Sequence, residues 1–175
     1  MKRRIYQAMQ RRILGIAGAA GCGKTTVANT LVNEFGWVSL GISDPMKRFT
    51  RDIFGFNEEQ LWGESKLRST TAPLYQEGPT ARKALQLLGT EWGRDLAEDV
   101  WINAALTYAN ALVPASPDKA KVLGRVGYRQ ELGLYPLEDS SADIPGVVIA
   151  DVRYENEVLA IQKFGGHVWN IVRPG

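Results

Sequence analysis

Two kinds of apolar pattern alternate along this chain. Ile13-Leu14-Gly15-Ile16-Ala17 is an uninterrupted apolar run, as expected of a strand buried on both faces. From Thr26 the spacing becomes helical, with Val27, Ala28, Leu31, Val32 and Phe35 on one face. Trp37-Val38-Ser39-Leu40-Gly41-Ile42 reads as a second strand. Ser43-Asp44-Pro45 then opens a helix that runs to Phe54, since proline is tolerated in a first turn. Residues 55–79 are mixed and turn-rich. Residues 80–112 read as two helices broken near Gly93, with Trp101, Ala105, Tyr108 and Leu112 on one face of the second. Residues 146–151 form an apolar strand ending in Asp151. A helix over Tyr154–Phe164 follows, and Gly165-Gly166 turns the chain into a strand over His167–Val172. Strands alternating with helices predict an α/β fold with a parallel sheet.

Between these elements, residues 114–146 hold four prolines, four glycines and the scattered cations Lys119, Lys121, Arg125 and Arg129. They read as a long loop or mobile insert. At 175 residues the chain is sized for one domain. Its core is expected over 12–43 and 146–175, with a helical region over 44–113.

Composition narrows the partners. A formal net charge of +2 is too mild to argue for a nucleic-acid polymer. One cysteine excludes an internal disulfide and points to a reducing compartment, the cytoplasm. No apolar run is long enough to span a membrane. The first thirty-three residues contain no acid and begin Met1-Lys2-Arg3-Arg4. Their apolar run is short and glycine-broken, however, and flows into Gly23-Lys24-Thr25-Thr26, an ending with no use in an export segment.

That ending carries the chemistry. Gly18-Ala19-Ala20-Gly21-Cys22-Gly23-Lys24-Thr25 matches G-x-x-x-x-G-K-[ST] in full, between a strand and a helix. Glycines at 18, 21 and 23 let backbone N–H groups converge on phosphate oxygens, and the following helix adds its positive dipole end. Lys24 is placed to bridge β- and γ-phosphates, the Thr25 hydroxyl to ligate Mg²⁺, and Thr26 to complete the donor site. Cys22 lies within the loop, either as a reactive thiol or as a small residue that fits. The pattern predicts ATP and Mg²⁺ as cofactors.

Asp151, at the end of its strand, is where a nucleotide-binding loop needs a carboxylate for Mg²⁺; capping the next helix is the other reading. Arg153 falls at the carboxyl edge of the sheet, where ligands bind in open α/β folds. Its bland alternative is an ion pair with Glu157. Glu155 and Glu157 read as solvated or structural.

More specific blocks lie between. Gln86-x-x-Gly89-Thr90-Glu91-x-Gly93-Arg94 followed by Asp99-Val100-Trp101, with Ser43-Asp44-Pro45-Met46-Lys47 and Asp151-Val152-Arg153-Tyr154-Glu155-Asn156-Glu157, resembles the deoxynucleoside monophosphate kinases of bacteriophages and their bacterial relatives. The resemblance covers most of residues 12–113 and 146–174. It implies transfer of the ATP γ-phosphoryl group to a deoxynucleoside monophosphate, on a fold similar to adenylate kinase with a helical monophosphate-binding region. Such transfer needs positioning and cations rather than a protein nucleophile. Under it, Arg94 and Arg153 are assigned to the acceptor phosphate and Gln86 to the base edge. Arg82 lies on the same helical face as Gln86. Lys47 is a further cation, and Asp44 is a sugar or base contact, or a cap. Trp92 and Trp101 stack on the base or pack in the core.

Two readings compete. One is another small-molecule kinase of the same loop class, resembling dephospho-coenzyme A kinase, against which the Gln86 and Arg94 blocks argue. The other is a non-catalytic nucleotide-binding module, because the chain stops at Arg173-Pro174-Gly175, before the lid and last strand of the family. Homodimerisation stays open.

Overall fold

A computed structural model describes residues 13–113 and 144–173. Readings placed on residues 1–12 and on most of the 114–146 segment lie outside it. The chain divides into two compact units, Met1–Gly41 with Ala105–Gly175, and Ile42–Ala104.

The first unit is built on a parallel sheet. β1 (Ile13–Ala17) leads through the glycine-rich segment into α1 (Lys24–Phe35), and β2 (Val38–Leu40) follows. Later in the chain come β3 (Val147–Ile149), α7 (Glu155–Lys163) and β4 (His167–Asn170). Strand order among the described residues is β2-β3-β1-β4, all parallel. β1 therefore lies inside the sheet, hydrogen-bonded on both sides. Leu14, Ile16 and Val148 bury against Ala28, with Val27, Leu31 and Val32 of α1 packed over them. On the other face, the bare Gly15 lets α7 approach: a Cβ there would lie 2.8 Å from Ile161 Cδ1. β1 spans the expected residues in full, and the other three expected strands are present but shorter. Phe35, read from spacing as part of the buried face of α1, is 58% exposed beside the Gly36 turn.

The second unit is helical. It holds α2 (Asp44–Phe54), α3 (Glu58–Trp62) and a 3₁₀ turn over Ser65–Ser69. α4 (Ala81–Leu87), a π-helical turn over Leu88–Trp92 and α5 (Gly93–Leu96) then run on continuously. Its core is Phe56, Leu61, Ala72, Ala81 and Ala84. Buried Gln60 is satisfied there. It exchanges capping hydrogen bonds with Asn57 (2.9 and 3.1 Å), and its amide donates to Thr70 Oγ1 (2.8 Å) and Thr71 O (2.9 Å).

The helix break expected near Gly93 falls instead at Ala97, whose backbone is extended (φ −160°, ψ 120°). Gly93 is itself helical (φ −72°, ψ −48°). It is bare for a packing reason, since a Cβ would meet Trp101 Nε1 at 2.4 Å and Cε2 at 2.6 Å. The next helix, α6 (Val100–Leu112), buries Ile102, Ala105, Leu106, Ala109 and Leu112. That stripe is rotated from the expected face, leaving Trp101 and Tyr108 at its margins.

Gly93→Ala should therefore destabilise the protein by about 1–3 kcal/mol through overpacking. Gly89→Ala, whose Cβ would meet only the flexible Met46 Sδ at 3.4 Å, should be neutral or stabilising by up to about 1 kcal/mol. Urea unfolding of both variants measures the contrast; equal losses would remove the Trp101 explanation.

Candidate functional site

In the first unit the residues of interest gather where β1 and β3 end. The last Cα pair between these strands is Gly15↔Ile149, so two residues further along each chain stand Ala17 and Asp151. Adjacent parallel strands thus deliver the start of the glycine segment and the acid to the same sheet edge. Between β1 and α1 the backbone takes left-handed or related values at Gly18 (φ 140°), Gly21 (φ 76°) and Gly23 (φ 104°). Side chains rarely tolerate these values, which is why the sequence places glycine at all three.

Gly18 is constrained twice. A Cβ on it would lie 2.5 Å from the Ile171 carbonyl oxygen and 2.8 Å from Cys22 Sγ. Ile171 N–H also donates to Ala17 O at 2.9 Å, so the end of β4 is pinned against the start of the loop. Around Gly21 and Gly23, by contrast, a Cβ would meet none of the described residues within 4 Å. Their bareness answers to backbone angle rather than to packing by the described residues.

The Lys24 ammonium curls back over this loop. It donates to Gly18 O and Ala19 O, each at 2.7 Å, and lies 3.9 Å from Cys22 Sγ. The cation is therefore held in the concavity by two carbonyls that any stronger anionic acceptor could replace. Thr25 and Thr26, in the first turn of α1, are exposed. Cys22 is half-buried as a free thiol packed on Gly18.

Beyond β3, Glu157 organises the chain in a way spacing alone did not convey. Its buried carboxylate accepts from the backbone N–H groups of Arg153 (2.7 Å) and Tyr154 (3.1 Å) at the start of α7. The charge-assisted bonds fix the path of the chain at Arg153. The bland alternative for Arg153, an ion pair with Glu157, thus gives way to a backbone contact, and Glu157 takes the structural role, one of its two readings. The Arg153 side chain is exposed, with no partner among the described residues. The signal was the acid at the third helical position, a capping-box spacing.

In the second unit, Asp44 is the first residue of α2 rather than its cap, a position that falls to Ser43. Its Oδ1 accepts from Lys47 Nζ at 3.1 Å and from Trp62 Nε1 at 3.0 Å. Lys47 Nζ lies 5.4 Å from the Trp62 ring centroid, a cation–π arrangement. Trp62, which spacing did not single out, is the residue that orients this ion pair. Arg82 is tied to the 3₁₀ turn, donating to Ser65 O (3.1 Å), Ser65 Oγ (3.2 Å) and Ser69 Oγ (3.3 Å). Gln86 is exposed on α4, its backbone carbonyl accepting from Thr90 Oγ1 at 2.7 Å. Arg94 is half-buried and has its own partner. Trp101 packs on Gly93, as described.

Over 163 residues, 93% of this chain, the sequence is 29% identical to a protein of Acanthamoeba polyphaga mimivirus named "Putative deoxynucleotide monophosphate kinase". The match covers 75% of that protein. No protein-family model matches the chain. No helix among the described residues is long and apolar enough to cross a membrane.

Gly18→Ala should unfold the loop rather than merely fill it, because the clash is with backbone at Ile171. We expect a loss of about 2 kcal/mol or more from strain and overlap together. A melting temperature equal to that of the unsubstituted chain would show that β4 does not pin the loop.

Proposed function

We propose that this protein is a nucleotide kinase that transfers the γ-phosphoryl group of ATP to a deoxynucleoside monophosphate. The observation that carries the reading is the loop between β1 and α1. Three positive-φ glycines, a lysine ammonium lying over the loop concavity and a helix beginning at Lys24 make an anion cradle of the kind that holds nucleotide phosphates. The mimivirus relative's name and the Gln86–Arg94 block supply the acceptor class.

In this reading the backbone of Gly18, Gly21, Cys22 and Gly23 binds the donor's phosphates with Thr26. Lys24 leaves the carbonyls of Gly18 and Ala19 for phosphate oxygens. Its charge then offsets the negative charge that spreads over the transferring group. Among the described residues no group of three or more metal-ligating side chains gathers. A phosphate-bound Mg²⁺ does not need one, since it takes one or two protein oxygens and keeps its waters. The Thr25 hydroxyl and the Asp151 carboxylate are the oxygens of that kind near the loop and the neighbouring strand end, and they would hold the ion. When bound, it neutralises phosphate charge and fixes the donor's geometry.

Arg94 and Arg153 are assigned to the acceptor's phosphate, and Gln86 to its base edge. Lys47 and Asp44, oriented by Trp62, are assigned to the acceptor as well, with Trp101 backing the base and Arg82 steadying the region through the Ser65–Ser69 turn. None of these groups is assigned as a nucleophile, which suits a transfer governed by positioning and charge.

A coupled assay over deoxynucleoside, ribonucleoside and non-nucleoside acceptors should show turnover of deoxynucleoside monophosphates, falling about a hundredfold or more in Lys24→Ala. Near-normal turnover in that variant would remove the donor assignment, and preference for a non-nucleoside acceptor would remove the acceptor class. Arg94→Ala should raise KM for the acceptor by tenfold or more, on the scale of a lost charge-assisted pair of about 2 kcal/mol, while sparing KM for ATP. Equal damage to both constants would make Arg94 structural.

A further inference from the structure

Phe49 on α2 and Trp92 at the end of the π turn form a surface to which the proposed function gives no role, spacing having left Trp92 between base stacking and core packing. Both are large apolar side chains kept outside, 43% and 52% exposed. Their rings are within 20° of parallel, with centroids 6.3 Å apart. Trp92 leans in turn on Trp101, at 6.3 Å and 40°. Trp101 is immobilised against the bare backbone of Gly93, at the expense of leaving its indole Nε1–H buried with no hydrogen-bond partner among the described residues. A residue that swings freely in solvent needs no such foundation. Here a glycine, a buried indole and a π-helical turn together hold one tryptophan facing outward, and π turns of this kind recur at functional sites.

We propose that Trp92, with Phe49, is the stacking platform for the acceptor's base, and so determines how tightly the acceptor is held. The inference rests on the kinase reading and deepens it. A rigid indole face is matched by another flat π system, which an aliphatic or saturated ligand does not offer. Arg48 immediately precedes Phe49, and Arg94 follows Trp92 by two residues, so both rings are neighboured in sequence by a cation. A ligand that joins a flat heteroaromatic ring to an anion is a nucleotide. Stacking accepts any base, because every base has a π face. Discrimination among bases then falls to hydrogen-bonding groups such as the exposed Gln86 amide.

The test uses the full chain and the variants Trp92→Leu, Trp92→Phe and Phe49→Ala, each with its unfolding temperature measured. Trp92→Leu should raise KM for every deoxynucleoside monophosphate about tenfold and leave KM for ATP unchanged. Trp92→Phe should stay within about threefold of the unsubstituted chain. Phe49→Ala should give a smaller rise, and it carries the test if Trp92→Leu does not fold. Deoxynucleoside monophosphates should quench tryptophan fluorescence, and that quench should shrink in Trp92→Phe. Binding of 2-deoxyribose 5-phosphate, which has the anion and sugar without a base, should be the same in Trp92→Leu as in the unsubstituted chain. Equal loss for the baseless ligand, or no loss for the nucleotides, overturns the platform. A chain that shows base-dependent quenching yet phosphorylates no deoxynucleoside monophosphate overturns the kinase reading and leaves the platform standing.

Discussion

The interior position of β1 is the constraint on which the rest of the first unit depends. Ile13–Ala17 is paired in parallel on both sides, to β3 and to β4, and packed on both faces. A strand so confined cannot shift, and the segment leaving its carboxyl end inherits that rigidity. The Ile171 backbone closes against Ala17 and Gly18 from one side. On the other, the neighbouring strand ends in register and delivers Asp151 and Arg153 to the same edge. An anion cradle made of backbone N–H groups works only if those groups are already aimed before the anion arrives. Here the aiming is done by the sheet.

The second unit reaches rigidity differently, without a sheet. Polar side chains, from buried Gln60 to exposed Arg82, carry much of the specification. Gln60 links α3 to the segment at Thr70 and Thr71, while Arg82 links α4 to the 3₁₀ turn. Asp44 is held between an ammonium and an indole N–H. Each contact joins residues ten or more positions apart, or fixes a charge at a helix start. The π turn and Gly93 add a steric device, by which an indole lies on bare backbone and its neighbour faces out. These are expensive arrangements for a small helical unit: they hold polar groups partly buried and apolar rings exposed. That is the reverse of what stability alone would select.

Several features were legible from residue order because they are local. An uninterrupted apolar run must be buried on both faces, so the parallel α/β class follows from Ile13–Ala17 and Val147–Ile149 with the helices between them. The glycines at 18, 21 and 23 announce backbone angles that other residues avoid, and all three take positive φ. The acid at the third position of α7 has capping-box spacing too, a local signal that the reading of Glu157 as solvated or structural does not use.

What only the tertiary structure decided depends on residues brought together from far apart. Spacing read Gly93 as a helix breaker, but the helical backbone continues through it, and its bareness serves an indole eight residues later. The buried stripe of α6 is set by what packs on it, so periodicity gave the helix but not its rotation. Spacing likewise offered Glu157 a guanidinium partner, whereas backbone N–H groups took its carboxylate, because burial favours the shorter, fixed donors. It left both Trp92 and Trp101 between core and ligand. Three-dimensional contact separates them, one indole packed on backbone and the other turned to solvent. Local physics thus wrote the strands, the helices and the bare loop into the sequence, and long-range packing chose which face of each side chain meets the outside.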